Sequence, residues 1–339
     1  IRSHARLSYD GVAAYLANGA IDGVPEGVRP TVRWLRTAAA RLGAVRVARG
    51  GVSLAREEAS VSLDPNTHEP LDVTPRAEND AHRLVERLMV AANEAVAEWL
   101  VDRGLPGLFR VHEQPTPERV AMLTAFAENF GIETGFGPEL TPRGLAAFEA
   151  QYRGTSLEPA MASVVGRTLG SARYTVHPAP HFGLAAPLYL HFTSPIRRYA
   201  DLVVHRVVKR YLAGERDMSA GDLTFEAIAE HVNRVAFAAS KAETERHRML
   251  VARLFAHRIG EAVGGRIVSV QPFGLVVQID GTGATGTVAI DALPGAPHRI
   301  DLARQEIVGG AATYAVGQPF AAKISATNED LGRVDLVPA

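Results

Sequence analysis

The sequence predicts an α+β protein in two parts, helices with short strands over residues 1–259 and a small all-β barrel over residues 260–339. Three observations carry this expectation. Capped, amphipathic stretches at helical spacing dominate the first part. Around Gly260–Gly265 the composition changes, and short alternating strands separated by glycine turns follow. Within the first part lies a stretch dense in polar chemistry, Tyr189-Leu-His-Phe-Thr-Ser-Pro-Ile-Arg-Arg-Tyr-Ala-Asp201, running on to His205.

At 339 residues the chain can bury one large core or two domains. Its 36 Lys and Arg nearly cancel its 37 Asp and Glu, so a nucleic-acid binder of this composition must gather its positive charge in a groove. Cysteine is absent, which excludes disulfides and thiolate metal sites and is compatible with a reducing cytosol. No apolar run reaches membrane-spanning length, and no signal-peptide pattern opens the chain. The first residue is Ile rather than Met, inside strand-like alternation, and this reads as a fragment of a longer chain.

Taken in order, residues 1–9 alternate as a strand does, and Asp10 is placed to cap a short helix from Gly11 to Leu16. Tyr9 sits at that corner, where an ordinary rim aromatic is an equal reading. A second helix is expected from Thr31 to Leu42, stopping at Gly43, with Gly50-Gly51 leading into a strand from Val52 to Ala55. From Asn79 to Leu100 the pattern is an amphipathic helix. Leu84, Leu88, Met89, Ala92, Val96 and Trp99 make its apolar arc, and Arg83, Arg87, Glu94 and Glu98 its solvent arc. Glu86 and Asn93 share a line at the margin, which marks the carboxylate as a candidate site residue. Phe109 to His112 reads as a strand, Thr116-Pro117-Glu118 as a helix start, and residues 141–152 and 158–170 as helices. His177, His181 and His191 lack metal-ligand spacing on any one element, so no zinc site is predicted.

In the central stretch, Ser194 has the side chain of an N-cap and Pro195 suits the first helical position. A helix starting there offers free backbone N–H groups and a positive dipole end to an anion. Arg197, Asp201 and His205 then recur at i, i+4 and i+8, so one stripe holds a guanidinium and two tethers. An ordinary capped helix with a surface salt bridge also fits these residues. Val204 and Val208 lie beside Asp201 and His205, however, which turns the polar stripe inward. Residues from Leu223 to Ile259 read as a long alanine-rich helix. Arg266 to Ile279 (bending at Pro272), Gly286 to Ile290, Phe320 to Ile324 and Val334 to Val337 give five short strands, which suit an OB barrel.

The run HFTSPIRRYAD…HR resembles the signature of the ribonuclease II/R (RNB) family of 3′-to-5′ exoribonucleases, and His181-Phe-Gly-Leu184 and Ile1-Arg-Ser-His-Ala-Arg-Leu-Ser-Tyr9 fit the same family. The resemblance covers nearly the whole chain but not the whole enzyme. It implies an incomplete RNB catalytic domain, helices around a mixed sheet, over residues 1–259, and an S-one-type RNA-binding OB domain over residues 260–339. The implied activity is processive, Mg²⁺-dependent hydrolysis of single-stranded RNA to nucleoside 5′-monophosphates, by a cytoplasmic monomer. In that family an arginine at the place of Arg197 is catalytic, and Asp201 and His205 would orient it. Tyr9 and Glu86 would meet the terminal ribose, and Glu243 would face the RNA path. Leu54 stands where such enzymes carry a stacking phenylalanine, so the base–aromatic contribution of about 1–3 kcal/mol is expected to shrink there. Phe273-Gly274 resembles the corner of the S-one domain, although Val276 and Val277 replace a second aromatic. The metal-binding aspartates of the family, spaced as D-x5-D-x-D-D, have no match here, so no metal ligand is assigned in this chain. They are expected from an N-terminal segment upstream; otherwise the chain is a non-catalytic RNA-binding protein on a degenerate nuclease scaffold.

Overall fold

The computed structural model describes residues 2–20, 22–51, 59–75, 78–137, 139–219, 221, 223–310 and 312–339. The first element is helix α1 (Tyr9–Asn18), and residues 2–8 form no strand. Alternation alone does not make a strand, because its backbone needs a partner edge. Ser8, not Asp10, supplies the cap, its Oγ accepting from Gly11 N–H at 3.2 Å. Asp10 lies inside the helix and accepts from Asn79 Nδ2 at 3.1 Å.

Helix α2 (Arg29–Arg49) runs past the stop expected at Gly43 and ends at Gly50, whose φ of 93° is the left-handed conformation of a helix cap. Gly43 has a different job. A Cβ there would meet the Arg87 side chain at 2.8 Å, so this glycine lets α2 approach helix α3 (Asp80–Asp102) closely. Helix α3 starts with a reciprocal capping box between Asn79 and His82. The strand expected at residues 52–55 lies outside the described residues. A hairpin of β1 (Ala59–Leu63) and β2 (Pro70–Pro75) comes next.

Strand β3 (Phe109–Val111) pairs antiparallel with β4 (Arg173–Thr175), and isolated bridges add Leu190 antiparallel to Phe109 and His181 parallel to His112. Between these strands, α4 (Pro117–Glu128), α5 (Pro142–Tyr152) and α6 (Glu158–Leu169) close over a core of Leu123, Leu145, Phe148, Met161 and Val165. Helix α7 (Tyr199–Leu212) packs Val204 and Val207 against Ala97 and Leu100 of α3 and Phe109 of β3. Helix α8 (Phe225–Ala256) is continuous over 32 residues, capped by Thr224.

The closed barrel comprises β5 (Ala262–Gln271), β6 (Gly274–Ile279), β7 (Thr285–Ala289), β11 (Pro319–Asn328) and β12 (Arg333–Pro338), in the order β11-β12-β7-β6-β5. All five strands match the sequence expectation. A three-stranded sheet of β8 (Arg299–Asp301), β9 (Glu306–Val308) and β10 (Thr313–Ala315) is inserted between them and was not foreseen. At the β5–β6 corner Gly274 has φ 141°, and a Cβ would fall 2.0 Å from Val288 O, so only glycine fits. The barrel core continues into α8 through Val251 and Phe255 and into the hairpin through Val73.

Candidate functional site

The central stretch does not begin a helix at Ser194. Residues 195–197 form a turn, with the N–H groups of Arg197 and Arg198 on Ser194 O at 3.2 and 3.1 Å, and α7 starts at Tyr199. Arg198 is extended, at φ −127° and ψ 118°, so the i, i+4 geometry expected between Arg197 and Asp201 does not arise. The wholly buried carboxylate of Asp201 instead accepts from Ser194 N–H at 2.8 Å and from both Nε and Nη2 of Arg198 at 2.9 Å. Arg198 is therefore tied down. The Arg197 side chain is exposed, and among the described residues its guanidinium has no hydrogen-bond or ion-pair partner.

His205 is not a tether for Arg197 either. Its Nε2 lies 2.8 Å from Phe192 O, and a carbonyl only accepts, so that nitrogen carries the proton. The two rings stack at 4.0 Å. From the opposite side Asn93 of α3 reaches the same loop. Its Oδ1 accepts from the N–H groups of Phe192 at 2.9 Å and Thr193 at 3.2 Å, while Nδ2 donates to Tyr189 Oη at 2.9 Å.

Behind the loop lies a chain of rings. His181 packs on Tyr189, Tyr189 on His191, and His191 on Tyr174, whose hydroxyl meets His191 Nδ1 at 2.7 Å. Burial pushes the His181 imidazole down to about 3, helped by the neighbouring His112 and Arg110. Burial likewise lowers His191 to about 4, with the Arg198 guanidinium assisting and Asp201 opposing. Both are neutral at physiological pH.

A second group gathers where α2 meets α3. Glu86 is half-exposed and pairs with Arg46 at 2.7 Å. Glu94, expected on the solvent arc, is instead covered by α2 and held by Arg49 Nη2, 2.9 Å from each carboxylate oxygen. The tyrosine ring of Tyr9 stacks on His82, one turn before Glu86, at 4.0 Å and 9°. A groove of about 1330 Å³ runs from this wall to the barrel, lined by Arg46, Arg83, Glu86 and Arg87 on the helices and by Arg266 and Val276 on the strands. Glu78, Glu158 and Asp280 also line it, so its arginines offer local forks rather than a net positive field.

Among the predicted site residues, Glu86 thus lines the groove and Tyr9 stacks beside it; Arg197 lies in the turn that enters α7, and Asp201 and His205 of α7 hold the preceding loop, which Asn93 joins to α3. Phe273, 51% exposed at the β5–β6 corner, and Glu243, exposed on α8, do not line the groove. Leu54 lies outside the described residues. Asn93, His82, Arg46 and Arg198 were missed. Asn93 had a signal, an amide on the same helical line as Glu86; the others depend on contacts between elements. Among the described residues, no three His, Cys, Asp or Glu side chains come together to hold a metal ion. Among the described residues, no helix is long and apolar enough to cross a membrane.

The model of the RNB domain matches residues 1–214. A Ribonuclease R of Aquifex aeolicus strain VF5 is 33% identical over 340 residues, covering 99% of this chain and 48% of that protein. The structure of Mycoplasma genitalium RNase R in complex with ribose methylated single-stranded RNA superposes with a TM-score of 0.87 at 26% identity, over 98% of this chain and 53% of that one. The same protein in complex with double-stranded RNA gives 0.81 at 25% identity, over 98% and 55%. The chain spans about half the length of the curated relatives it matches.

Proposed function

Because the chain belongs to the RNB family, we propose that it forms part of an exoribonuclease that hydrolyses single-stranded RNA processively from the 3′ end to nucleoside 5′-monophosphates. The observation that carries this reading is the pair of adjacent arginines: Arg198 is locked onto buried Asp201 while Arg197 is left exposed and unpaired among the described residues. A permanent cation held free beside a rigid turn is suited to the charge that develops on a phosphoryl group in the transition state. Asp201 and His205 act through the loop that carries it. Tyr9 and Glu86 read the terminal ribose, and Phe273 holds RNA at the barrel corner.

RNB nucleases are generally dependent on a divalent metal. The described residues do not assemble a site for one, so the carboxylates that hold Mg²⁺ are proposed to come from a segment upstream of this chain. The same absence favours a second reading, an RNA-binding protein on an inactive nuclease scaffold.

Single-turnover cleavage of a single-stranded RNA by the full-length protein with Mg²⁺ separates the two readings. Wild-type protein should cleave, and Arg197→Ala should lose about 10²–10³-fold in rate with little change in RNA affinity. Arg197→Lys should rescue poorly, because an ammonium lacks the guanidinium fork. Near-wild-type cleavage by the alanine variant removes Arg197 from the mechanism, and an inert wild type leaves the binding protein.

A further inference from the structure

We propose that Asn93 is the positioning residue that sets the Arg197-bearing loop in register with the ribose-reading end of α3, an inference that rests on the exoribonuclease reading above. Its side chain is 2% exposed, next to the apolar cluster of Ala97, Leu100, Phe109 and Leu190. Burying an amide in such a place is unfavourable unless it is hydrogen-bonded. Here its oxygen is used on the loop and its nitrogen on Tyr189 Oη.

Residues 192–194 belong to no helix or strand, so what satisfies their backbone groups decides where they sit. Asn93 takes the N–H groups of Phe192 and Thr193. His205 takes the Phe192 carbonyl, and Asp201 takes the Ser194 N–H. The loop is therefore hung between two helices by side chains. His205 and Asp201 fasten it to α7, which follows it directly in sequence. Asn93 fastens it to α3, about 100 residues away in the chain.

That second fastening matters because of what else α3 carries. At 100° per residue, His82, Glu86 and Asn93 fall within about 40° of one another on the helix. His82 stacks on Tyr9, and Glu86 lines the groove. One rigid helix, with about 10 Å of rise between Glu86 and Asn93, thus sets the spacing between the ribose readers and the loop bearing Arg197. Loss of the Asn93 bonds leaves the loop anchored to α7 alone and breaks that spacing.

The experiment uses the full-length protein with Mg²⁺ and a single-stranded RNA oligomer. It compares wild type, Asn93→Ala, Asn93→Asp and Val207→Ala. Val207 is buried in the neighbouring core and serves as a control for loss of stability alone. Asn93→Ala should lower the single-turnover rate at saturating RNA about 10–100-fold, since a loop misplaced by about 1 Å is enough for that. RNA affinity should stay within about threefold, because other groups grip the substrate. Hydrogen exchange in the peptide spanning residues 191–194 should become faster. Asn93→Asp retains an acceptor for both N–H groups and should recover most of the rate. Val207→Ala should lower Tm while leaving both the rate and that exchange unchanged. The inference is overturned if Asn93→Ala cleaves as fast as Val207→Ala, or if exchange at residues 191–194 does not change. Should wild-type protein fail to cleave RNA, the exoribonuclease reading falls, and the exchange measurement alone decides whether Asn93 holds the loop.

Discussion

Tyr9 and Glu86 come from elements far apart in the chain, yet Tyr9 stacks on His82, one turn before Glu86 on α3. A ribose 2′-OH can donate to a carboxylate and accept from a phenol, so the two side chains together can satisfy it. With DNA both would lose that partner, and because both side chains are about half-exposed water can replace it, so the loss is the modest net value of a hydrogen bond, about 0.5–1.5 kcal/mol each. The double variant Tyr9→Phe/Glu86→Ala is therefore expected to narrow the RNA-to-DNA ratio of kcat/KM more than either single change. Hydrolysis of matched RNA and DNA oligomers in the full-length protein measures it, and an unaltered ratio removes the pair from sugar recognition. Glu86 is also bonded to Arg46, so Arg46→Leu is the control that separates loss of the carboxylate from loss of its partner. Arg46 is also a residue that periodicity could not nominate, since its role comes from the approach of α2 to α3.

Between Ser194 and Asp201 the chain makes a turn where its sequence reads as a helix start. The N-cap side chain and the proline at the next position are both present, and local propensity favours helix from there. What overrides it is one buried carboxylate. Asp201 has its oxygens filled by Ser194 N–H and the Arg198 fork, a set of bonds that a helix from Pro195 cannot provide. Asp201→Asn should destabilise the protein by about 3 kcal/mol, because it leaves the Arg198 cation without its counter-charge. Arg198→Leu/Asp201→Asn should recover part of that loss, since both charges are then gone. Urea unfolding of wild type, Asp201→Asn, Arg198→Leu and the double variant tests this, and additive losses in the double variant would contradict the pairing. The same element-scale logic explains Gly43. It reads as a helix stop in sequence, but α2 continues through it because a glycine in mid-helix is tolerated where it admits a neighbouring helix.

The molecule as a whole should lose stability in mild acid. His181 and His191 are held neutral by burial, near about 3 and about 4, against about 6.5 in an unfolded chain. Between those limits the unfolded state binds more protons than the folded one, so stability rises with pH through this window. It is fully present above about 6.5 and is lost progressively as the pH falls towards 4, by about 1.4 kcal/mol per pH unit for each histidine. Urea midpoints at pH 7, 6 and 5 should fall accordingly, and His181→Phe/His191→Gln should flatten the slope. An unchanged slope in that variant would show that other groups govern the acid response. At this scale the barrel is also continuous with the helices. Phe255 and Val251 of α8 complete its core, and Arg253 joins Glu329 of the barrel to Glu69 of the hairpin. We propose that the boundary near residue 260 divides two folds in composition more sharply than it divides them in packing.

Much of this was legible in the sequence, and for reasons of period. The barrel strands from Ala262 to Pro338 follow from alternation broken by glycine, and Gly274 is required by its backbone conformation whatever surrounds it. Helices α3, α5, α6 and α8 follow from apolar spacing and capping side chains. The sequence also singled out Arg197, Asp201 and His205 as one polar stripe. What it did not determine is which partner each one takes. Tertiary structure assigned Asp201 to Arg198 rather than Arg197, His205 to the Phe192 carbonyl, and Asn93 to the loop from across the core. Periodicity specifies which face a residue occupies, because that depends only on its own backbone. Hydrogen-bond partners across elements depend on where two separately folded backbones come within about 3 Å of each other, and no local pattern encodes that distance.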